Sequence, residues 1–498
     1  MKLRPVVGVA LAAALVRWAV SLHDYSGLAT PPRFGDYEAQ RHWMEITVSL
    51  PPSEWYRNSS RNDLGYWGLD YPPLSGYQSW LCGKFVQHFE PKAVELRASR
   101  GYESPFSKFL LRQTVLAADA LVALPAALAA AVVFGGGSNG RRLQLLVALL
   151  FSPATVLIDH GHFQYNCIGL GLAMGAAAAQ AVGHDVLCSV LFSLSLNHKQ
   201  MGLYYAPAFF AYLFGRCLQQ RTPGGKVCAV ARLGVVVALT FGLVWAPWLR
   251  APGAAWLDVL RRVFPTQRGL YEDYVANWWC TSSRLIKWTR LLSQARLLQL
   301  CSTATLAAAA PAMAMQLLRP SPRGFLLCLA ASATAFFLFS YQVHEKSILL
   351  PLLPLSMLFG AEDPQLLCWI NVIATFSMAP LLQKDRLGLA AIGTVAACVA
   401  AVQIAQIATA KTDAPRQHRG GTPLLSGRRI QQRLIQLSFL GCVVLLVAFV
   451  TLPPPQHLPF LYDALIVTWS FLHIAALFAY VYILMLQEFH NAGKAKQP

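Results

Sequence analysis

The sequence predicts an all-α polytopic membrane protein, and three observations carry that expectation. Of the 498 residues, 55% are apolar and only 13% are charged, against roughly 25% charged in an ordinary soluble domain. Apolar runs of about 20 residues, the length of a bilayer crossing, recur from end to end of the chain. Basic residues collect in the connections between those runs, as they do where they orient a membrane protein. A water-soluble globule is excluded. The several soluble domains that length alone suggests give way to one integral membrane body.

Apolar segments fall at about 5–22, 110–134, 143–158, 166–183, 186–196, 203–215, 233–248, 294–318, 324–340, 347–361, 365–381, 387–410, 434–453 and 462–486. They make about fourteen crossings. Several, notably 186–196 and 203–215, fall short of a full span, and broken or re-entrant helices lower the expected range to about 11–14. The first segment follows Lys2 and Arg4, contains Arg17, and has no clear small-residue cleavage site before Pro31. It is read as a retained span, not a removed signal peptide. Residues 411–433, polar and holding Gly and Pro, are expected as a solvated linker. They divide a membrane region at 1–410 from a C-terminal pair of spans and a tail at 434–498.

The chain carries 41 Lys plus Arg against 23 Asp plus Glu, a net charge of +18. With an N-terminus in the cytosol, Lys2 and Arg4, Arg141 and Arg142, Arg216 to Arg232, Arg319 and Arg323, and Lys411 to Arg433 share the cytosolic side, as positive residues do. Nucleic acid is not an expected partner; anionic head groups and phosphates are. Two long loops on the far side, 24–109 and 249–293, are also basic, which phosphate chemistry would explain. The 11 cysteines form no CxxC pair, so neither a zinc module nor a dense disulfide framework is indicated. Cys82 and Cys280 lie in the two long loops, where a bridge between them stays open.

The apolar runs hold almost no ionisable residues apart from Arg17 and Asp119, whereas a transporter would place them in mid-span. The polar residues concentrate in far-side loops instead. Asp36 follows the first span; as a residue type it suits either an N-cap for a short helix at 37–47 or a general base acting on an alcohol. Glu38, Arg41 and Glu45 have the spacing of a helical charge face. With Trp43 and Met44 they would suit an amphipathic helix lying at the membrane interface. Asp70 and Tyr71 precede Pro72 and Pro73, which stiffen the loop; Asp70 fits a substrate contact or a loop-stapling hydrogen bond equally. Asp159, His160 and His162 have poor spacing for metal ligands and are read as a polar turn. His344, Glu345 and Lys346 stand at a span mouth, suited either to gripping a lipid-linked phosphate or to anchoring at the interface. Arg268 and Arg284, near Trp278 and Trp279, allow the same two readings. Asn58-Ser59-Ser60 is an N-glycosylation sequon in the first long loop.

At these positions the sequence resembles the dolichyl-phosphate-glucose-dependent α-1,3-glucosyltransferases of N-glycan precursor assembly in the endoplasmic reticulum. The resemblance is carried by GDYEAQRHWMEIT at 35–47, YWGLDYPPLSGY at 66–77, SPATVLIDHGHFQYNCIGLGL at 152–172, NHKQMGLYYAP at 197–207, FPTQRGLYEDYVANWWC at 264–280 and FSYQVHEKSILL at 339–350. It implies a GT-C glycosyltransferase fold, with a bundle of membrane helices whose lumenal loops carry an inverting site. Region 1–410 would be the catalytic region, and Asp36 the catalytic base, with no metal and no cofactor. His344, Glu345, Lys346 and Arg268 would bind the donor phosphate, and Glu38, Arg41, Trp43, Asp70 and Tyr71 the acceptor. The implied partners are membrane lipid, a dolichyl-phosphate-β-glucose donor and the Man9GlcNAc2 dolichol-linked acceptor, joined through an α-1,3 bond. The alternatives are a sister enzyme that adds the second glucose, or a lipid or solute transporter. Lys494-Ala495-Lys496 resembles a cytosolic dilysine retrieval signal, consistent with the endoplasmic reticulum.

Overall fold

A computed structural model describes residues 1–264, 269–412 and 425–494. Every apolar segment of the sequence is helical in it. Among the described residues eight helices are long and apolar enough to cross a membrane, or up to nine when the bent pair Asn139–Leu150 and Pro153–Phe163 counts as one span. The difference from the expected 11–14 lies in short helices. Segments 166–183, 186–196, 203–215 and 347–361 form helices of 16, 14, 13 and 11 residues, too short to cross unaided.

The first helix, α1 (Leu3–Ser21), shows why a bilayer is the solvent. Leu3, Val7, Leu11 and Leu15, one turn apart, are all exposed; in water that stripe would be costly, and in lipid it is at rest. The helix Pro322–Phe339 is the opposite case, with 78% of its apolar window buried inside the protein. Its Ala330, Ala331, Ser332, Ala333, Thr334 and Ala335 are small and buried, so neighbouring helices approach closely.

The two mid-span charges meet. Arg17 Nε donates to Asp119 Oδ2, while Arg17 Nη1 bonds the Leu150 carbonyl at 2.8 Å. His160 Nε2 lies 2.8 Å from the same Asp119 oxygen. Asp119 opens a π-helical turn, Asp119–Ala123, just before Pro125. The proline cannot donate its backbone bond, and the helix widens there. Paired in this way, the two charges hold helices together, and neither is left as a free ion.

At one end of the bundle the loops fold on a short helix, α2 (Asp36–Ser49), packed against α3 (Pro73–Phe89). The structure corrects the interfacial reading of α2. Every residue from Tyr37 to Thr47 is buried, because Trp55, Tyr56 and Leu69 cover one side and Ala93 and Val94 the other. A two-residue parallel pair, β1 (Tyr271–Glu272) with β2 (Val343–His344), ties the second long loop to the 341–346 segment. Arg284 donates to Thr468 and so fastens that loop to the last helix, Leu461–Lys494. Cys82 and Cys280 are free thiols. The expected linker at 411–433 is helical where it is described, at Lys411–Thr412 and from Leu425.

Candidate active site

Asp36 is set in place by a close approach of two chain segments. A Cβ on Gly35 would lie 2.6 Å from the Ser26 carbonyl carbon, so only glycine fits there. Ser26 Oγ accepts from the Asp36 amide at 3.3 Å, and the Ser26 amide bonds the His162 carbonyl at 3.2 Å. The helix α2 begins at Asp36 itself, capped by Gly35 without a side-chain bond. The Asp36 carboxylate therefore serves no cap and is directed elsewhere.

Its Oδ2 gathers three donors from two distant parts of the chain: His162 Nε2 at 2.9 Å, the Gln164 amide, and Lys346 Nζ at 2.5 Å. Among the described residues its Oδ1 has no hydrogen-bond partner and is not sealed from solvent, the side chain being 27% exposed. Burial pushes the Asp36 carboxyl up, but the Lys346 ammonium and His162 outweigh it and hold it well below the ordinary carboxylate range. Asp36 is thus a carboxylate, with one oxygen held and one presented.

The residues around it are anchored in turn. His162 Nδ1 lies 2.5 Å from Asp385 Oδ2. Phe163, between His162 and Gln164, takes a φ of 88°, a conformation that costs a bulky residue about 1–3 kcal/mol and clusters at functional sites. Arg112 Nη2 bonds the Gly161 carbonyl at 2.7 Å and its guanidinium lies over the Phe163 ring. Gln164 Oε1 accepts from Lys199 Nζ at 2.9 Å, and Lys199 also bonds Asn166 Oδ1 at 2.7 Å. Burial and Lys346 pull the Lys199 ammonium down to about 8. Lys199 also lies 4.8 Å from the Tyr71 ring centroid.

Of the residues singled out in the sequence, Asp36 and Lys346 meet directly. His344 is adjacent, its Nδ1 2.7 Å from Glu345 Oε2 and its Nε2 3.9 Å from Glu272. Glu345 is buried; burial raises its carboxyl, and His344, a backbone hydrogen bond and Lys346 together bring it below its ordinary value. Tyr71 is half-buried beside Lys199, and Trp43 meets it edge-on at 4.9 Å. Trp43 itself is buried and bonds the Trp67 carbonyl. Asp70 is half-buried near Lys199, and its carbonyl accepts from Gln200. Arg268 lies outside the described residues.

Glu38 and Arg41 are placed behind the site, in a sealed ion network. Arg41 is fully buried; it bonds both oxygens of Glu38 at 2.7 Å and Glu45 Oε2 at 2.7 Å, and also reaches the Ala93 carbonyl and Ser99. Glu38 further accepts from the Tyr66 hydroxyl and the Gly101 amide. With every polar atom of Arg41 engaged, this network fastens α2 to the loop around 93–101.

Sequence reasoning missed His162 and Gln164 as partners of Asp36, and Asp385 and Lys199 as the residues that hold those two. Asp159, read with His160 and His162 as a turn, does act structurally: its oxygens accept from the Asn166 and Cys167 amides at the start of the helix Asn166–Ala181. The signal available was the density of side-chain donors in His160-Gly161-His162-Phe163-Gln164-Tyr165-Asn166, more than a surface turn needs.

The fold and site define a class: a polytopic helical membrane protein whose polar chemistry sits in loops at one end of its spans. The chain belongs to the ALG6, ALG8 glycosyltransferase family, whose model matches residues 13–480, and it has that family's GT-C type of fold. It is 44% identical to the probable dolichyl pyrophosphate Man9GlcNAc2 alpha-1,3-glucosyltransferase of Arabidopsis thaliana, over 93% of this chain and 86% of that one. It is 40% identical to the dolichyl pyrophosphate Man9GlcNAc2 alpha-1,3-glucosyltransferase of Mus musculus, over 98% of each. A similar protein of Schizosaccharomyces pombe, with the same name marked probable, is 39% identical over 92% of this chain.

Proposed function

We propose that this glycosyltransferase moves glucose from dolichyl-phosphate-β-glucose to the Man9GlcNAc2 glycan on dolichol pyrophosphate, forming an α-1,3 bond in the lumen of the endoplasmic reticulum. The observation that carries the chemistry is the Asp36 carboxylate, held through Oδ2 and open at Oδ1. The names of the relatives support the acceptor. Asp36 Oδ1 takes the proton of the acceptor hydroxyl as that oxygen bonds the anomeric carbon, and the bond from that carbon to the phosphate oxygen breaks on the opposite face. Single displacement inverts a β donor to an α product. A phosphate leaves already charged, so one base suffices where glycosidases need two carboxylates.

Lys346 supplies positive charge beside the base, with His344 next to it, and both suit the departing phosphate. Arg268 remains a candidate for the same duty. Tyr71 offers a ring face to the acceptor sugar, with Trp43 packed behind it and Asp70 at its side. Glu38 and Arg41 contribute to acceptor binding by holding α2 in shape. The basic loops at the opposite end, where Arg323 pairs with Glu362, support a cytosolic placement of that face.

The test is to reconstitute the purified protein in EDTA with dolichyl-phosphate-glucose and either Man9GlcNAc2 or monoglucosylated acceptor lipid, and to follow product mass. A gain of one hexose on Man9GlcNAc2 is the expected result. Transfer only to the monoglucosylated lipid would move the assignment to the second glucose, and transfer to neither would overturn it.

A further inference from the structure

The segment 160–164 enters the site as more than a turn, and the charges around His162 show how. Its Nε2 meets Asp36 Oδ2 at 2.9 Å and its Nδ1 meets Asp385 Oδ2 at 2.5 Å. Carboxylate oxygens accept and do not donate, so a bridge between two of them needs a hydrogen on each ring nitrogen. Lys346 Nζ lies 3.0 Å from His162 Nε2 and 2.5 Å from Asp36 Oδ2. The group then holds two negative charges, Asp36 and Asp385, against two positive ones, His162 and Lys346. Arg112 bonds the carbonyl of Gly161, the residue before His162. His162 and Asp385 are 2% and 3% exposed at their side chains, against 27% for Asp36. Of Asp36, His162 and Asp385, Asp36 is the one within reach of a substrate.

We propose that His162 is a positioning residue for the transfer: anchored by Asp385, it bridges to Oδ2 of Asp36 and fixes the carboxylate so that Oδ1 faces the acceptor hydroxyl. This rests on Asp36 being the base. Lys346 alone would not serve this purpose, because an ammonium on a flexible stem is a point charge that leaves the carboxylate free to rotate. A ring clamped at both nitrogens cannot turn. Asp385 has no hydrogen bond to Asp36, and its side-chain bond at the site is the one to His162. It sits 223 residues from His162 in the chain, in the short Lys384-Asp385-Arg386 connection.

The test uses the full-length protein in lipid nanodiscs, with His162→Gln, Asp385→Asn, the double variant and Asp36→Asn assayed beside wild type for kcat and for both KM values. Misplacing the base costs rate and not binding. The expected results are kcat losses of about 100-fold for His162→Gln and about 10-fold or more for Asp385→Asn, with both KM values within about threefold of wild type. The double variant should match His162→Gln, because Asp385 has nothing left to act on once the ring is gone. Losses that multiply in the double variant, or that fall on KM alone, would overturn the proposal. So would an Asp385→Asn kcat within twofold of wild type. Should His162→Gln fail to elute as a folded species, Asp385→Asn, which keeps the shape of the side chain, carries the test through its kcat and KM. Asp36→Asn separates the two readings. Wild-type turnover in that variant defeats the base itself, whereas an inactive Asp36→Asn beside a normal Asp385→Asn defeats only the role of His162.

Discussion

Lys346 Nζ lies 2.5 Å from Asp36 Oδ2, a contact between residues 310 apart in the chain. It joins the first long loop to the connection that follows the most buried of the eight candidate spans, and its charge lowers the Asp36 carboxyl. Lys346→Met removes the nearest positive charge. The carboxyl pKa of Asp36 then rises toward the ordinary range near 4, so the acid limb of the kcat/KM profile moves to higher pH. The donor KM should rise about tenfold or more, since the phosphate loses a charge-assisted partner. An unmoved acid limb would show that Lys346 does not govern Asp36.

Arg41→Met tests the sealed network. Removing the guanidinium leaves Glu38 and Glu45 buried and uncompensated, which costs about 3–5 kcal/mol. A marked fall in the thermal midpoint of the detergent-solubilised protein is the expected outcome, with activity lost in step with the folded fraction. A stable Arg41→Met whose only defect is a raised acceptor KM would instead assign Arg41 to direct sugar contact.

Glu45 gives the same network a pH dependence. Burial raises its carboxyl, but a bond from His42 and the charge of Arg41 bring it down to about 2. A carboxyl depressed in the folded state contributes stability above its unfolded value near 4.3, and that contribution is lost as pH falls toward about 2. The wild-type thermal midpoint should therefore fall more steeply between about pH 5 and pH 3 than that of Glu45→Gln. Parallel curves would contradict this.

Tyr71→Ala removes the ring that Trp43 supports and Lys199 faces. The expected result is an acceptor KM raised about tenfold, in line with one aromatic contact, with the donor KM unchanged. A change confined to the donor KM would move Tyr71 to the other substrate.

The helices were legible in the sequence because a bilayer demands long apolar runs, and each run is a helix. Their crossing number was less so: the run at 347–361 is as apolar as a span, yet its helix Leu349–Phe359 has only 11 residues. Buried among other helices, it need not meet lipid. Asp36 and Lys346 stood out singly as charged residues at span mouths, but no local pattern reveals that they touch. The i, i+3 and i, i+4 spacing of Glu38, Arg41 and Glu45 was visible and those pairs do form; burial was not, because a solvated charge face and a sealed one share that spacing. His162 was read as part of a turn because its partners, Asp36 and Asp385, are 126 and 223 residues away.

The central claim is that Asp36 accepts the proton of the acceptor. The direct measurement is single-turnover transfer of glucose to the Man9GlcNAc2 lipid by wild type and Asp36→Asn, with folding of both verified by thermal unfolding. A variant that folds and binds both lipids but transfers about 100-fold or more slowly is the result expected for a lost base. A folded Asp36→Asn that transfers at the wild-type rate would contradict the account.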